Sequence, residues 1–189
     1  LSELSVTWVE QKQQLGTGHA VQQALPQIPE DNLALVLFAD GPLISERSLK
    51  NLLEETPKQG VGLLVCHVDN PFGLGRIVRN NEQKIQQIVE EKDATTEQKK
   101  INEIFTGIVA VSAKKLNRWL KQIDNNNAQK EYYLTDIVKL AISDACDVVA
   151  VAARDQVEIQ GVNDKKQLAF VERSYQRQQA EKLMLAGTT

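Results

Sequence analysis

The sequence predicts an α/β fold built on a mixed, mostly parallel central sheet flanked by helices. Three observations carry that reading. The run "LALVLF" (33–38) is an unbroken apolar stretch of strand length closed by "ADGP", the pattern of a strand covered on both faces. Helix-like segments stand before and after it, which is the alternation of an α/β unit. Further on, "GRIVRNNEQKIQQIVEEKD" reads as a hairpin turning at Asn80 and Asn81, so not every strand runs the same way.

Taken in order, "HAVQQAL" is a helix closed by Pro26 and Pro29, and "LALVLF" follows as the strand expected at the centre of the fold. The segment "ISERSLKNLLEET" (44–56) has Leu49, Leu52 and Leu53 at helical spacing and stops at Pro57. A second buried strand is "VGLLVCHV" (61–68), followed by the hairpin and a further strand, "EIFTGIVAV" (103–111). Two helices, "AKKLNRWLKQI" and "YYLTDIVKLAISD", precede the strand "DVVAVAA" (147–153). The final stretch, "DKKQLAFVERSYQRQQAEKLMLAG", places Leu168, Val171 and Tyr175 on one helical stripe and ends at Gly187. No internal repeat or low-complexity linker interrupts this order.

Composition narrows the function classes. The chain has 189 residues, 42% hydrophobic and 25% charged, enough for one globular domain with a sizeable core. A net charge of −3 provides no basic field to hold nucleic acid or an anionic membrane, so neither is expected as a partner. No apolar run of spanning length and no secretory start is seen. Cys66 and Cys146 form no C-x-x-C pair and read as reduced core residues, so the expected location is the cytoplasm.

Several residues are candidates for chemistry. Asp40 is the first polar side chain after a buried strand, where open α/β sheets place ligands; it reads either as a metal-binding carboxylate or as the start of a turn. Asn163, in "EIQGVND", reads either as a helix cap or as a second hard oxygen donor of the kind Mg²⁺ accepts. The Gly-Thr-Gly at 16–18 permits close approach of backbone to a ligand, or is a turn in which Thr17 caps the helix. Gln11 carries a donor and an acceptor side by side, matching the imide edge of a pyrimidine, or lies solvated at the surface. Gly75 marks a backbone approach or a bulge, and its "NPFGLGR" context has neither the third glycine nor the setting of a dinucleotide fingerprint. His19 and His67 have no catalytic partner at recognisable spacing and read as structural. The segment "NNNAQKEYYLTD" (125–136) is dense in groups that suit sugar hydroxyls, or it caps a helix.

Seven motifs, "QLGTGHA", "ADGPLIS", "GLGRIVR", "IVEEKDAT", "EIFTGI", "NNNAQKEYYLTDIV" and "EIQGVND", occur in an order and spacing that resemble one family along the whole chain. It is the pyrophosphorylase domain of the bacterial bifunctional N-acetylglucosamine-1-phosphate uridyltransferase and glucosamine-1-phosphate acetyltransferase. The resemblance implies a Rossmann-like nucleotidyltransferase fold that joins UTP and N-acetylglucosamine 1-phosphate, giving UDP-N-acetylglucosamine for cell-envelope precursors and releasing pyrophosphate. It implies that Gln11, Gly16 and Thr17 contact uracil and uridine, and that Gly75 and Glu90 contact the N-acetylglucosamine part. Asp40 and Asn163 are implied as the catalytic Mg²⁺ pair, both also touching substrate. Phe38 and Ala39 stand where the family commonly has Tyr-Gly, so only backbone contacts are expected there. Phe105 replaces a sugar-binding Asn and is not assigned as a ligand.

The resemblance also implies that a first strand and a Gly-rich, Lys-bearing phosphate loop belong before Leu1. A hexapeptide-repeat acetyltransferase domain that forms a homotrimer belongs after Thr189. Residues 1–189 are then expected to be the later part of a pyrophosphorylase domain, weakly active or inactive alone. Other sugar-1-phosphate nucleotidyltransferases and a noncatalytic nucleotide-sugar binding module are the competing readings.

Overall fold

The computed structural model describes residues 6–188. Helix α1 (Thr17–Ala24) leads through a 3-10 turn at Pro26 to β1 (Leu33–Val36). Then come α2 (Glu46–Glu55), β2 (Val61–His67) and the hairpin of β3 (Gly75–Arg79) and β4 (Ile85–Val89). The long strand β5 (Glu103–Ser112) is followed by α3 (Ala113–Leu120), α4 (Ile137–Ser143), β6 (Val148–Ala152) and α5 (Lys165–Leu185). The hairpin turn forms as expected because the Asn80 side-chain oxygen accepts from the N–H groups of Glu82 and Lys84, while Gln83 takes a left-handed φ of 63°.

The six strands form one mixed sheet in the order β4-β3-β5-β2-β6, with β1 also on β5. Strands β1, β2, β3 and β6 share one direction, so most of the sheet runs one way as expected. The hydrogen-bonded neighbours differ from expectation. Among the described residues only β2 with β6 is a parallel ladder; β5 runs against β1, β2 and β3, and β4 runs against β3.

Strand β5 is the spine. One of its edges carries β2, and the other is shared end to end by two strands. There β3 pairs at Gly75↔Phe105 and Arg76↔Ile104, while β1 pairs from Val36↔Val109 to Leu33↔Ser112. Between those ladders, Thr106, Gly107 and Ile108 have no strand partner on that edge among the described residues.

The central position expected for "LALVLF" is therefore corrected. The strand ends at Val36, only Ala34 in it is buried, and Leu37 and Phe38 are exposed. A continuous apolar run signals two covered faces but does not say which strands lie alongside. The centre belongs to β2, buried from Val61 to Cys66 between β5 and β6.

Alternation along β2 and β5 sorts the core onto two faces. Leu63, Val65, Val109 and Val111 face Leu116, Trp119, Leu120, Ile137 and Val138 of α3 and α4. Leu64, Ile108 and Ala110 face Leu52 of α2 on the other side. Trp119 also donates its indole N–H to Asp144 Oδ2 at 2.9 Å, fixing α3 against the end of α4. Along α5 the predicted stripe fails: Val171 is buried, but Leu168 and Tyr175 are 52% and 53% exposed. Their spacing is right for one face, but only the Val171 turn of that face meets the body. Among the described residues no helix is long and apolar enough to cross a membrane.

Candidate active site

A cleft of about 830 Å³ opens where the β1, β2 and β6 strands end and where the unpaired edge of β5 faces out. Of the residues predicted from sequence, Thr17, Phe38, Asp40, Gly75, Glu90 and Asn163 line it. Gln11, Gly16 and Ala39 do not, although Gly16 precedes Thr17 and Gln11 bonds to Gly16.

The Gly-Thr-Gly wall is held by backbone. Gly18 N–H donates to Tyr132 O and Tyr132 N–H donates to Leu15 O, both at 2.8 Å. Gly16 has φ 111°, and a Cβ there would sit 2.7 Å from Tyr132 O, so glycine is needed for conformation and for space. Gly16, not Thr17, is the cap residue of α1. The Thr17 hydroxyl instead accepts from Leu134 N–H at 3.1 Å, clasping the start of α1 to the turn Leu134–Asp136. Gln11 Nε2 donates to Gly16 O at 3.1 Å and lies 2.9 Å from His19 Nδ1. Its amide nitrogen thus braces the glycine turn.

At the opposite end, two loops far apart in sequence meet. Asp40 O accepts from Val162 N–H at 2.9 Å. A Cβ on Gly161 would lie 3.2 Å from Asp40 Oδ2 and 3.8 Å from Asn163 Nδ2, so both side chains converge on this glycine. A half-turn of the Asn163 amide exchanges Nδ2 for Oδ1. The helix cap role considered for Asn163 falls to its neighbour: Asp164 caps α5 in a reciprocal capping box with Gln167. Among the described residues no cluster of three or more His, Cys, Asp or Glu suited to a metal exists. One carboxylate and one amide fit a hard cation that completes its shell from water and phosphate oxygens.

The third wall is Gly75 with Glu90. Glu90 Oε2 lies 3.5 Å from where a Gly75 Cβ would be, and Glu90 Oε1 accepts from the Thr135 hydroxyl at 2.9 Å. Burial pushes the Glu90 pKa up and the nearby Asp136 and Asp93 charges add to this, against the opposing hydrogen bond from Thr135. A carboxyl so placed is suited to hydroxyl and amide partners. Phe105 is buried in the cleft floor, and the Phe38 ring covers Gly107, whose φ of 89° and lack of a side chain make room for it. From the polar run 125–136 only Leu134 and Thr135 reach the cleft. Asn127, Tyr133 and Asp136 line a separate cavity of about 430 Å³ that shares Glu90 and Thr135.

No family model matches the chain, but whole proteins do. It is 51% identical over 185 residues, 98% of its length, to the bifunctional protein GlmU of Acinetobacter baumannii (strain AYE). Over all 189 residues it is 52% identical to that of Coxiella burnetii (strain CbuK_Q154) and 50% identical to that of Marinobacter nauticus. The chain belongs to the GlmU family. It spans 40% to 42% of the length of these relatives. The fold also matches the crystal structure of UDP-glucose pyrophosphorylase complexed with UDP-glucose, at a TM-score of 0.69 and 17% identity, covering 91% of this chain and 66% of that one.

Sequence reasoning passed over one residue of this GlmU-family cleft. Glu158 is fully buried, lines the cleft, and accepts from Ser45 N–H at 3.1 Å, Ser45 Oγ–H at 3.0 Å and Arg154 N–H at 3.0 Å. Nothing local announces it, because its partner Ser45 is 113 residues away.

Proposed function

We propose that this chain carries a uridylyltransfer site that joins UTP and N-acetylglucosamine 1-phosphate into UDP-N-acetylglucosamine and pyrophosphate. The convergence of Asp40 and Asn163 on Gly161, at one end of a cleft whose other walls are Thr17 and Gly75 with Glu90, supports this reading most. The GlmU relatives and the pyrophosphorylase-like fold point the same way.

In this reading the sugar-phosphate oxygen attacks the α-phosphorus of UTP in line, pyrophosphate leaves, and no covalent intermediate with the protein forms. Asp40 and Asn163 hold Mg²⁺, which when bound neutralises charge on the phosphates. Thr17 and Gly16 present the turn that lies against the uridine, with Gln11 Oε1 directed to the base. Gly75 lets backbone approach the sugar, and Glu90 hydrogen-bonds its polar groups. Phe38 and Ala39 contribute through backbone. The residues' task is to position reactants, since the reaction needs little else beyond charge stabilisation. The chain is then a part of one catalytic unit in a longer cytoplasmic protein whose remaining length completes that unit and carries acetyl transfer and trimer contacts.

The test is pyrophosphate release by the full-length protein across a substrate panel. We expect UTP with N-acetylglucosamine 1-phosphate to exceed UTP with glucose 1-phosphate, and dTTP with either sugar, by about tenfold or more in kcat/KM. A preference for glucose 1-phosphate or for dTTP would overturn the assignment.

A further inference from the structure

We propose that Glu158 is a positioning residue that sets the spacing between Asp40 and Asn163; this rests on the metal reading of that pair. A fully buried carboxylate is costly unless each oxygen is matched by donors. Here both are. Oε1 takes the Ser45 N–H and hydroxyl, and Oε2 takes the Arg154 N–H. The nearest cationic group, Arg154 Nε, is 3.9 Å away and half in solvent, so the donors are chiefly neutral.

Those donors belong to the two loops that bear the pair. Ser45 follows Asp40 and begins α2 as its cap residue; Glu158 precedes Asn163 on the loop from β6 to α5. The Val162 N–H to Asp40 O bond ties the same two loops at 2.9 Å. Asp40 and Asn163 therefore sit in a bracket closed at one end by backbone and at the other by Glu158. An apolar contact between these loops would hold them together but leave them free to slide. A carboxylate whose two oxygens bond different segments fixes separation and rotation together. Its place at the start of α2 also sets the charge against the positive end of that helix.

Glu158→Gln keeps the shape but turns one acceptor into a donor, facing either the Ser45 groups or the Arg154 N–H. The tie on that side is lost. The experiment is Mn²⁺ binding in the presence of UDP-N-acetylglucosamine, followed by the spin resonance of free Mn²⁺. It is run on the unaltered chain, Asp40→Asn, Glu158→Gln and Ser45→Ala, with a thermal melt of each. We expect Mn²⁺ affinity to fall about tenfold in Glu158→Gln and about threefold in Ser45→Ala, the scale of lost hydrogen bonds to a charged group. Metal-free affinity for the nucleotide sugar stays within about twofold. A purely structural role lowers the melting temperature and leaves the Mn²⁺ affinity of the folded protein unchanged. That result in Glu158→Gln overturns the proposal, and if this variant does not fold, the same result in Ser45→Ala does. If the unaltered chain shows no Mn²⁺ binding that depends on Asp40, the metal reading fails and the positioning role falls with it. If it does and Glu158→Gln matches it, the positioning role alone fails.

Discussion

Asp40 and Glu90 are carboxylates at opposite ends of one cleft, and the fold treats them differently. Asp40 is exposed on a loop, and among the described residues no hydrogen bond engages its side chain; what lies beside it is another polar side chain, Asn163. Glu90 is half-buried at the end of a strand, takes a hydroxyl from Thr135, and stands near Asp93 and Asp136. An open carboxylate next to an amide is suited to an ion that arrives with its own water and phosphate. An enclosed one, for which ionisation is disfavoured, is suited to a neutral polar group. The contrast teaches that position along the cleft, rather than residue type, divides the work between two acids.

Asp40→Asn should give the largest effect. Made in the full-length protein, it should lower turnover about 10²-fold or more, while stability changes by less than about 0.5 kcal/mol, as for a surface substitution. Pyrophosphate assays beside a denaturant melt check both, and comparable losses of activity and stability would erase the distinction between the two acids. The intermediate effect is a pH dependence at Glu90. Its raised pKa means that the folded chain holds this proton to higher pH than the unfolded chain does. The associated stability is full below the ordinary Glu value and is lost as pH rises through the folded value. Glu90→Gln cannot ionise and escapes that loss. Its melting temperature relative to the unaltered chain should therefore climb as pH is raised through the carboxylate range. A flat or falling difference means that Glu90 is not held in an environment adverse to charge. The smallest effect sharpens the contrast. Thr135→Val removes the donor that holds the Glu90 pKa down, so the same pH transition should move upward, at a stability cost of about 1 kcal/mol. An unmoved transition would separate Thr135 from the behaviour of Glu90.

How much of this was legible in the sequence depended on the range over which each signal acts. The hairpin at Asn80 and the helix stop at Pro57 are written in adjacent residues, so turn chemistry suffices to read them. Burial of 61–66 follows from an unbroken apolar run, but the rank of that strand over "LALVLF" does not, because pairing partners lie far along the chain. The Leu168, Val171 and Tyr175 stripe shows the same limit: spacing defines a face, not what covers it. At the site, Asp40 is visible from its place after a strand and the full set from ordered motifs, whereas Glu158 is one acid in a loop. Its meaning lies in Ser45, at the other end of a long chain segment. Thr17 illustrates the reverse error. A hydroxyl before a helix looks like a cap, yet the nearby turn that carries Leu134 claims it.

The interruption on one edge of β5, where β3 stops and β1 has not begun, bears on how such a pocket changes over time. Thr106, Gly107 and Ile108 line the cleft because two neighbouring ladders leave them uncovered. The width of that opening is counted in units of chain length. Exchange of a wall residue alters what the pocket prefers to hold, whereas pairing carried from either bordering strand over Thr106, Gly107 and Ile108 would cover the edge that now faces the cleft. Substrate preference in this fold can therefore drift by substitution, while the opening itself is set by where the two ladders stop, beside Phe38 and at Gly75.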